Sequence, residues 1–419
     1  MKLRFVEKLK EEAFIKFVDI AVGAYPGISD ASQQSKEQLK KLFLHNQINN
    51  PAINYYGLWT DDKLMGGMRL HDFEMNIFSK IIPIGGVGLV AVDLLHKKEK
   101  AAKELIDHFF KVFLEKRVHF VALYPFRPDF YKKMGFGYGP KMHQYLVEPS
   151  SFPKGPTKEH LRYLQEQDQY KLKACYNRIA AKRHGMFLKT ESELLAIFNN
   201  PQHYIIAFEK DNDIQGYMVF SFKKQSETNF MLNNLIIKEL LYETPEALLE
   251  LSTFLNSQAD QVNRIEWNTQ DDNIHFFLGD TRNGTGHLIP SVYHASSVAG
   301  IGLMYRIINV IGFFNELKTH NFNGSSLTFK LTVLDSLLIE NNQSIMIQAV
   351  GGHIEIWDSG NYDVELVIDI AELSSLVMGI VTMKELFMLG KVKVSNEQYI
   401  EVLNQFFFVY EKPICVTAF

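Results

Sequence analysis

Val90-Ala91-Val92-Asp93-Leu94-Leu95-His96-Lys97-Lys98-Glu99-Lys100-Ala101-Ala102-Lys103 is the stretch that decides the fold. Apolar residues open it, a short polar loop follows, and a basic run leads into a helix expected to reach Glu115. A helix start carries unpaired N–H groups and the positive end of the helix dipole, so it can hold an anion. Lys97, Lys98, Lys100 and Lys103 add positive charge, and the small Ala101 and Ala102 let a phosphate approach the backbone. The blander alternative is a solvated basic first turn.

Outward from this stretch, the chain repeats a pattern. A hairpin precedes it: Tyr55–Trp59, then Asp61-Asp62, then Leu64-Met65-Gly66-Gly67-Met68. A second hairpin runs through Tyr204–Phe208, Asp211-Asn212-Asp213 and Ile214-Gln215-Gly216-Tyr217-Met218. Gly66 matches Gly216 and Met68 matches Met218, both at an offset of 150. In each copy an apolar strand follows (Val87–Val92; Leu232–Ile237), then a helix (Lys98–Glu115; Pro245–Gln258), then another strand (His119–Tyr124; Arg264–Asn268). Strand, crossover helix and strand predict a mixed α/β sheet, and the shared order predicts a duplication.

Glu148-Pro149-Ser150-Ser151-Phe152-Pro153-Lys154-Gly155-Pro156 reads as a linker, since three prolines continue neither a helix nor a central strand. Asp280 to Ser291 is a second boundary rich in turn residues. The expected domains are 1–152, 153–290 and 291–419. In the third, a helix is expected at Ile308–Leu317, strands at Thr328–Val333 and Val364–Asp369, a helix at Ile370–Met378 and a strand-like end at Phe406–Phe408.

Composition narrows the class. With 419 residues, 46% hydrophobic and 22% charged, the chain has the balance of a globular protein of two or three domains. A net charge of −4 disfavours nucleic acid as a partner. The acidity is concentrated from Gly300 onward, with 13 Asp/Glu against 7 Lys/Arg, which suits solvated surfaces and is compatible with a cationic substrate. No apolar run is long enough for a membrane span, and the first residues lack a secretory apolar core. Cys175 and Cys415 are far apart, so neither a disulfide framework nor a cysteine metal site is expected, and no other metal site is. The expected compartment is the cytoplasm.

Phe130-Tyr131-Lys132-Lys133-Met134-Gly135-Phe136-Gly137-Tyr138 puts a tyrosine near the end of a short helix, a glycine four residues later to stop it, and an aromatic strand after that. A positioned phenol, of ordinary pKa about 10, can protonate a departing thiolate. A core tyrosine packed beside Phe130 and Phe136 is the alternative.

Together these segments resemble the GCN5-related N-acetyltransferase (GNAT) superfamily. Its phosphate motif, Gln/Arg-x-x-Gly-x-Gly/Ala, falls on Lys97-Lys98-Glu99-Lys100-Ala101-Ala102 with two departures: Lys97 stands for Gln or Arg, and Lys100 for the first glycine. Over nearly its full length the chain is similar to the enhanced intracellular survival (Eis) branch, through Ile82–Val92, Phe130–Tyr138, Met304–Val310 and Ser375–Gly379.

That resemblance implies an active GNAT domain, a degenerate second one and a sterol-carrier-protein-like α+β third domain. It implies acetyl-CoA as donor and a primary amine of a small polycationic (aminoglycoside-like) molecule or a lysine side chain as acceptor, in a homohexamer. Val90, Ala91 and Val92 would follow the pantetheine arm. Lys97, Lys98, Glu99, Lys100, Ala101, Ala102 and Lys103 would cradle the pyrophosphate, with Phe126 and Arg127 farther along the cofactor. Tyr131 would be the general acid, and the carboxylate of a terminal phenylalanine, here Phe419, the general base.

The end of the chain, Pro413-Ile414-Cys415-Val416-Thr417-Ala418-Phe419, is almost wholly apolar. A terminal carboxylate has an ordinary pKa near 3.5 and makes a better base when burial raises it. An apolar tail suits insertion, although plain packing of a last strand would explain it too. His71, His96 and Glu74 are fallback bases. The second copy has neither a basic run after Ile237 nor a Tyr-x-x-x-Gly-Phe after Trp267, so no cofactor is expected there. The competing expectation is a non-catalytic CoA- or lipid-binding protein whose transferase site has decayed.

Overall fold

The segment from Ile82 to Val92 is apolar with glycines at 85, 86 and 88, a pattern that suits a strand covered on both faces. A computed structural model describes residues 4–419, and in it this segment lies within β4 (Lys80–Val92), the middle strand of a seven-stranded sheet. On one side stand β3 (Lys63–Ile77), β2 (Ile53–Thr60) and β1 (Arg4–Lys8), all antiparallel. On the other stand β5 (Phe120–Leu123), parallel to β4, then β16 (Met304–Ile307) and β6 (Gly137–Tyr138).

The parallel β4–β5 pair needs a crossover, and α3 (Ala101–Glu115) supplies it. Ala101, Leu105, Ile106, Phe109, Phe110 and Phe113 recur every three or four residues and bury one helix face among Met68, Leu70, Val87 and Val121. Gly85 gives Phe113 room, since a Cβ there would sit 2.6 Å from its ring. The opposite sheet face is covered by α1 (Phe14–Ala24), flanked by α2 (Gln33–Asn49), with Phe14, Phe17 and Ala21 packed near Tyr55, Leu64 and Ala91.

The second sheet repeats the plan. Its order is β15 (Ser297–Ile301), β7 (Lys141–Val147), β12 (Val262–Thr269), β11 (Asn233–Tyr242), β10 (Asp213–Lys224), β9 (Tyr204–Lys210) and β8 (Leu161–Tyr163). Read from β8, the sequence of roles is that of β1 to β6, and β11–β12 is again the parallel pair. Its crossover is α7 (Pro245–Asn256); α5 (Gln169–Lys182) and α6 (Glu191–Phe198) precede the hairpin, as α1 and α2 do in the first copy.

Two strands cross the expected domain cuts. β7, which ends before residue 152, pairs in the second sheet, and β16, which follows residue 290, completes the first. Each sheet thus borrows a strand from the neighbouring stretch of chain, which ties the two copies together through backbone ladders. The proline-rich run is docked rather than free: Phe152 is buried, and Asn256 and Ser252 donate to the carbonyls of Phe152 and Pro153, each at 2.7 Å. A short hairpin, β13 (Leu288–Ile289) with β14 (Tyr293–His294), stands at the second turn-rich boundary.

The third unit is a five-stranded sheet, in order β19 (His353–Trp357), β18 (Ser344–Val350), β17 (Leu327–Leu334), β20 (Val364–Asp369) and β21 (Val392–Val394). It is packed by α8 (Val310–Glu316), α9 (Ile370–Val377), α10 (Met383–Met388) and α11 (Ile400–Phe406). The strand-like end expected at Phe406–Phe408 is not a strand: Phe406 closes α11 and Phe407 caps it. Leu403 and Phe406, one helical turn apart, face the core, and Phe406 stacks on Phe322 at 4.4 Å. Among the described residues no helix is long and apolar enough to cross a membrane.

Candidate active site

β4 carries the centre of the site. Its pairing with β3 shifts between Gly67 and Arg69, opposite Leu89, which takes a left-handed φ of 50°. Such a bulge bends a strand and re-aims its backbone. Among the described residues, β4 pairs with β5 only from Gly85–Val87 to Val121–Leu123. Beyond that the two strands part, and Val90, Ala91 and Val92 run on without a β5 partner. Backbone groups on a parted strand need other partners. The Val90 carbonyl has one, accepting from the Tyr25 hydroxyl at 2.7 Å.

The loop after β4 leads to the start of α3. Lys98 and Lys100 both have φ of 66°, and Lys100 is the N-cap of α3 with no side-chain cap. A left-handed backbone is what glycine tolerates best, so the geometry gives a reason for the glycine expected at position 100. The lysine adopts that conformation here at a steric cost. Lys97, Lys98, Lys100 and Lys103 are exposed, while Ala101 is buried and Ala102 half-buried. Glu99 is engaged by Arg4, which donates to its carboxylate at 2.9 Å and to its carbonyl at 2.8 Å.

Tyr131 sits on α4 (Pro128–Lys132), a short helix started by Pro128. Its ring is buried against Phe126, Phe130 and Phe136, at 5.7, 5.2 and 5.9 Å between centroids. Burial, helped by the neighbouring Tyr25 phenol, pushes the Tyr131 phenol well above its ordinary value. Phe126 is itself exposed, and Arg127 is held by Asp129 at 3.0 Å.

Gly135 ends this helix with φ of 78°, and space is a second reason for glycine. A Cβ there would lie 1.4 Å from the guanidinium of Arg306. Arg306 comes from β16, is fully buried, donates to the Met134 carbonyl and is gripped by Asp335 at 2.7 and 2.9 Å. The third unit thereby braces the Tyr131 turn, and Lys132 adds an ion pair to Glu372 at 2.8 Å. Arg306 had no assigned role in the sequence reading. Its one signal was a lone arginine within the apolar run Leu303–Ile308.

The tail threads between the two copies. The Ile414 N–H donates to the His184 carbonyl at 3.1 Å, the Cys415 N–H to Gln270 at 2.6 Å, and the Tyr124 hydroxyl to the Thr417 carbonyl at 3.1 Å. Phe419 ends among the rings of His71, Phe73, Tyr124 and Phe187, at 4.9 to 5.8 Å. A Cβ placed on Gly88 would stand 3.1 Å from the Phe419 carboxyl carbon and 3.5 Å from an Arg69 guanidinium nitrogen. The end of the chain thus lies on β4 two residues from Val90, the residue that Tyr25 touches.

The fallback bases separate. His71 lies beside Phe419, 6% exposed, its Nε2 without a partner among the described residues, and burial aided by Arg69 holds its imidazole well below the ordinary range. His96 is drawn to Glu99, and Glu74 is exposed on β3. In the second copy the Thr244 hydroxyl caps α7 through the Ala247 N–H at 3.2 Å, and Glu246 occupies the first turn. An occupied cap next to a carboxylate leaves no seat for phosphate.

Comparison with known proteins agrees with this arrangement. Residues 6–139 and 183–307 each match an acetyltransferase (GNAT) domain family, and residues 310–416 match the sterol carrier protein domain. No curated protein sequence matches the chain. A GCN5-related N-acetyltransferase from Anabaena variabilis has the same fold, with a TM-score of 0.82 at 18% identity, each chain covered in full. One from Kribbella flavida reaches 0.79 at 14% identity, covering 100% of this chain and 99% of its own. Eis1 from Mycobacterium abscessus reaches 0.77 at 17%, covering 99% of this chain and 100% of its own.

Proposed function

We propose, for a chain that is a GNAT acetyltransferase of Eis-like layout, two GNAT domains followed by a sterol carrier protein domain, that it moves acetyl from acetyl-CoA to a primary amine by direct attack. The observation that carries this reading is the approach of Phe419 to Gly88 and of the Tyr25 hydroxyl to Val90, two residues apart where β4 has left β5, with the buried Tyr131 phenol neighbouring Tyr25.

In this reading the thioester lies along Val90–Val92, where the strand edge that β5 has left holds the pantetheine arm and polarises the carbonyl. The lysine-rich loop and the uncapped start of α3 take the pyrophosphate. The Phe419 carboxylate accepts a proton from the acceptor ammonium. The amine nitrogen forms its bond to the acetyl carbon, the carbon–sulfur bond breaks, and the Tyr131 hydroxyl protonates the thiolate. No acyl-enzyme is needed: burial pushes both cysteine thiols, Cys175 and Cys415, up to about 12, which suits inert core residues.

The acceptor class we assign is a small polycationic molecule or a lysine side chain, and the compartment the cytoplasm. We also assign a homo-oligomer, for which exposed Leu288, Ile289, Val292, Tyr293, Val298 and Ile301 offer an apolar surface around β13–β15. Sedimentation of the full chain tests the assembly. The activity is tested by following free thiol release from acetyl-CoA with lysine and polyamine acceptors. Acetyl-CoA binding without turnover on any amine would defeat the reading.

A further inference from the structure

A cavity of about 210 Å³ opens beside Phe419, and both copies build it. The first contributes Asn50, which caps the end of α2, and Arg69 and His71 of β3; the second contributes Thr190 and Glu193 at the start of α6. Asn50 closes the seam by donating to Ser192 at 3.0 Å. So the second GNAT domain, which lacks a phosphate seat of its own, walls the space next to the first domain's site.

The charges in this cavity are unevenly matched. Asp72 is engaged by Lys116 at 2.6 Å, and Arg69 and the Phe419 carboxyl group both approach Gly88. Glu193 spends one oxygen, Oε2, on the Thr190 N–H at 2.7 Å and hydroxyl at 2.8 Å. Among the described residues it has no cationic partner, and its Oε1 takes no hydrogen bond. His71 adds a neutral imidazole whose buried Nε2 is also unpartnered. A partly buried carboxylate with a free oxygen favours a cation.

We propose that Glu193 is the specificity residue for the acceptor, and that the acceptor class is a short linear primary diamine. This rests on the acetyl-transfer reading above. One amine loses its proton to Phe419 and takes the acetyl group, while the other remains an ammonium held by Glu193. At about 210 Å³ the cavity lies below the roughly 300–1,000 Å³ usual for larger ligands, which suits a short chain. Because only one nitrogen is neutralised, the product keeps a single charge and stops after one acetylation.

The test compares kcat/KM for putrescine and cadaverine with that for butylamine and pentylamine, in the full chain and in Glu193→Gln. Glutamine preserves the capping box at the start of α6, so thermal melts of the variant should coincide with those of the parent. The parent is expected to favour diamines by about tenfold or more, and the variant to bring that ratio near one. A parent that acetylates both series equally, or a variant that keeps the preference, overturns the role of Glu193 alone. A parent inactive on both series, though it binds acetyl-CoA, removes the acetyl-transfer reading and this assignment with it.

Discussion

The carboxyl carbon of Phe419 lies 3.1 Å from the point where Gly88 would carry a Cβ. The final residue of the chain and the central strand of the first sheet therefore share a contact in which a Cβ at position 88 would displace the carboxyl group by a few tenths of an ångström. Gly88→Val places branched carbons in that space and pushes the carboxylate away from β4. Turnover should fall about a hundredfold, the usual result of misplacing a reacting group by about 1 Å. Acetyl-CoA affinity, read by calorimetry, should change far less. Unchanged steady-state turnover would separate the tail from the reaction.

Tyr131→Phe removes the hydroxyl and keeps the ring contacts with Phe126, Phe130 and Phe136. The expected loss in kcat is on the order of 10²-fold or more, with thermal stability nearly unchanged. The phenol is raised by burial, so it stays protonated to higher pH than a free tyrosine. The alkaline side of the parent's kcat–pH profile should therefore show no fall from this group below about pH 10.

Lys100→Gly tests the strained loop. A non-glycine residue at φ of 66° costs roughly 1–2 kcal/mol, and glycine returns part of that as unfolded-state entropy. The net gain in stability should be at most about 1 kcal/mol, seen as a higher melting temperature. The lost charge should weaken acetyl-CoA binding at low salt and flatten its salt dependence.

Asp335→Asn leaves Arg306 buried without its counter-charge. Breaking a buried pair from one side costs about 3–5 kcal/mol, which urea denaturation should report. Arg306 also supports the turn after Tyr131 through Met134, so kcat should drop as well at temperatures where the variant is folded.

Acid should loosen the seat of the tail. Burial lowers the His184 imidazole from 6.5 to about 4, and its carbonyl holds the Ile414 N–H. A depressed histidine is neutral when folded and protonated when unfolded between those values. The unfolded state then binds more protons, so stability is lost as pH falls from about 6.5 towards 4. His184→Gln should flatten the urea midpoint over that range.

Much of the architecture was legible in residue patterns. The two hairpins at an offset of 150 became β2–β3 and β9–β10, and the apolar strand before a basic helix start became β4 and α3. Those features are local: side-chain period and helix-start chemistry express themselves within about one element. The short aromatic run Phe406–Phe408 misled, because apolar runs of that length suit a strand or a helix end equally.

Residue pattern alone was enough to place an apolar strand before a basic helix start, and to mark the apolar tail as suited to insertion. Long-range packing decided that the tail ends at Gly88, that β7 joins the second sheet and β16 the first, and that Arg306 fills the space left by Gly135. These contacts join residues far apart along the chain. They are set by which volumes and charges remain unsatisfied once the sheets have formed, and no local period records that.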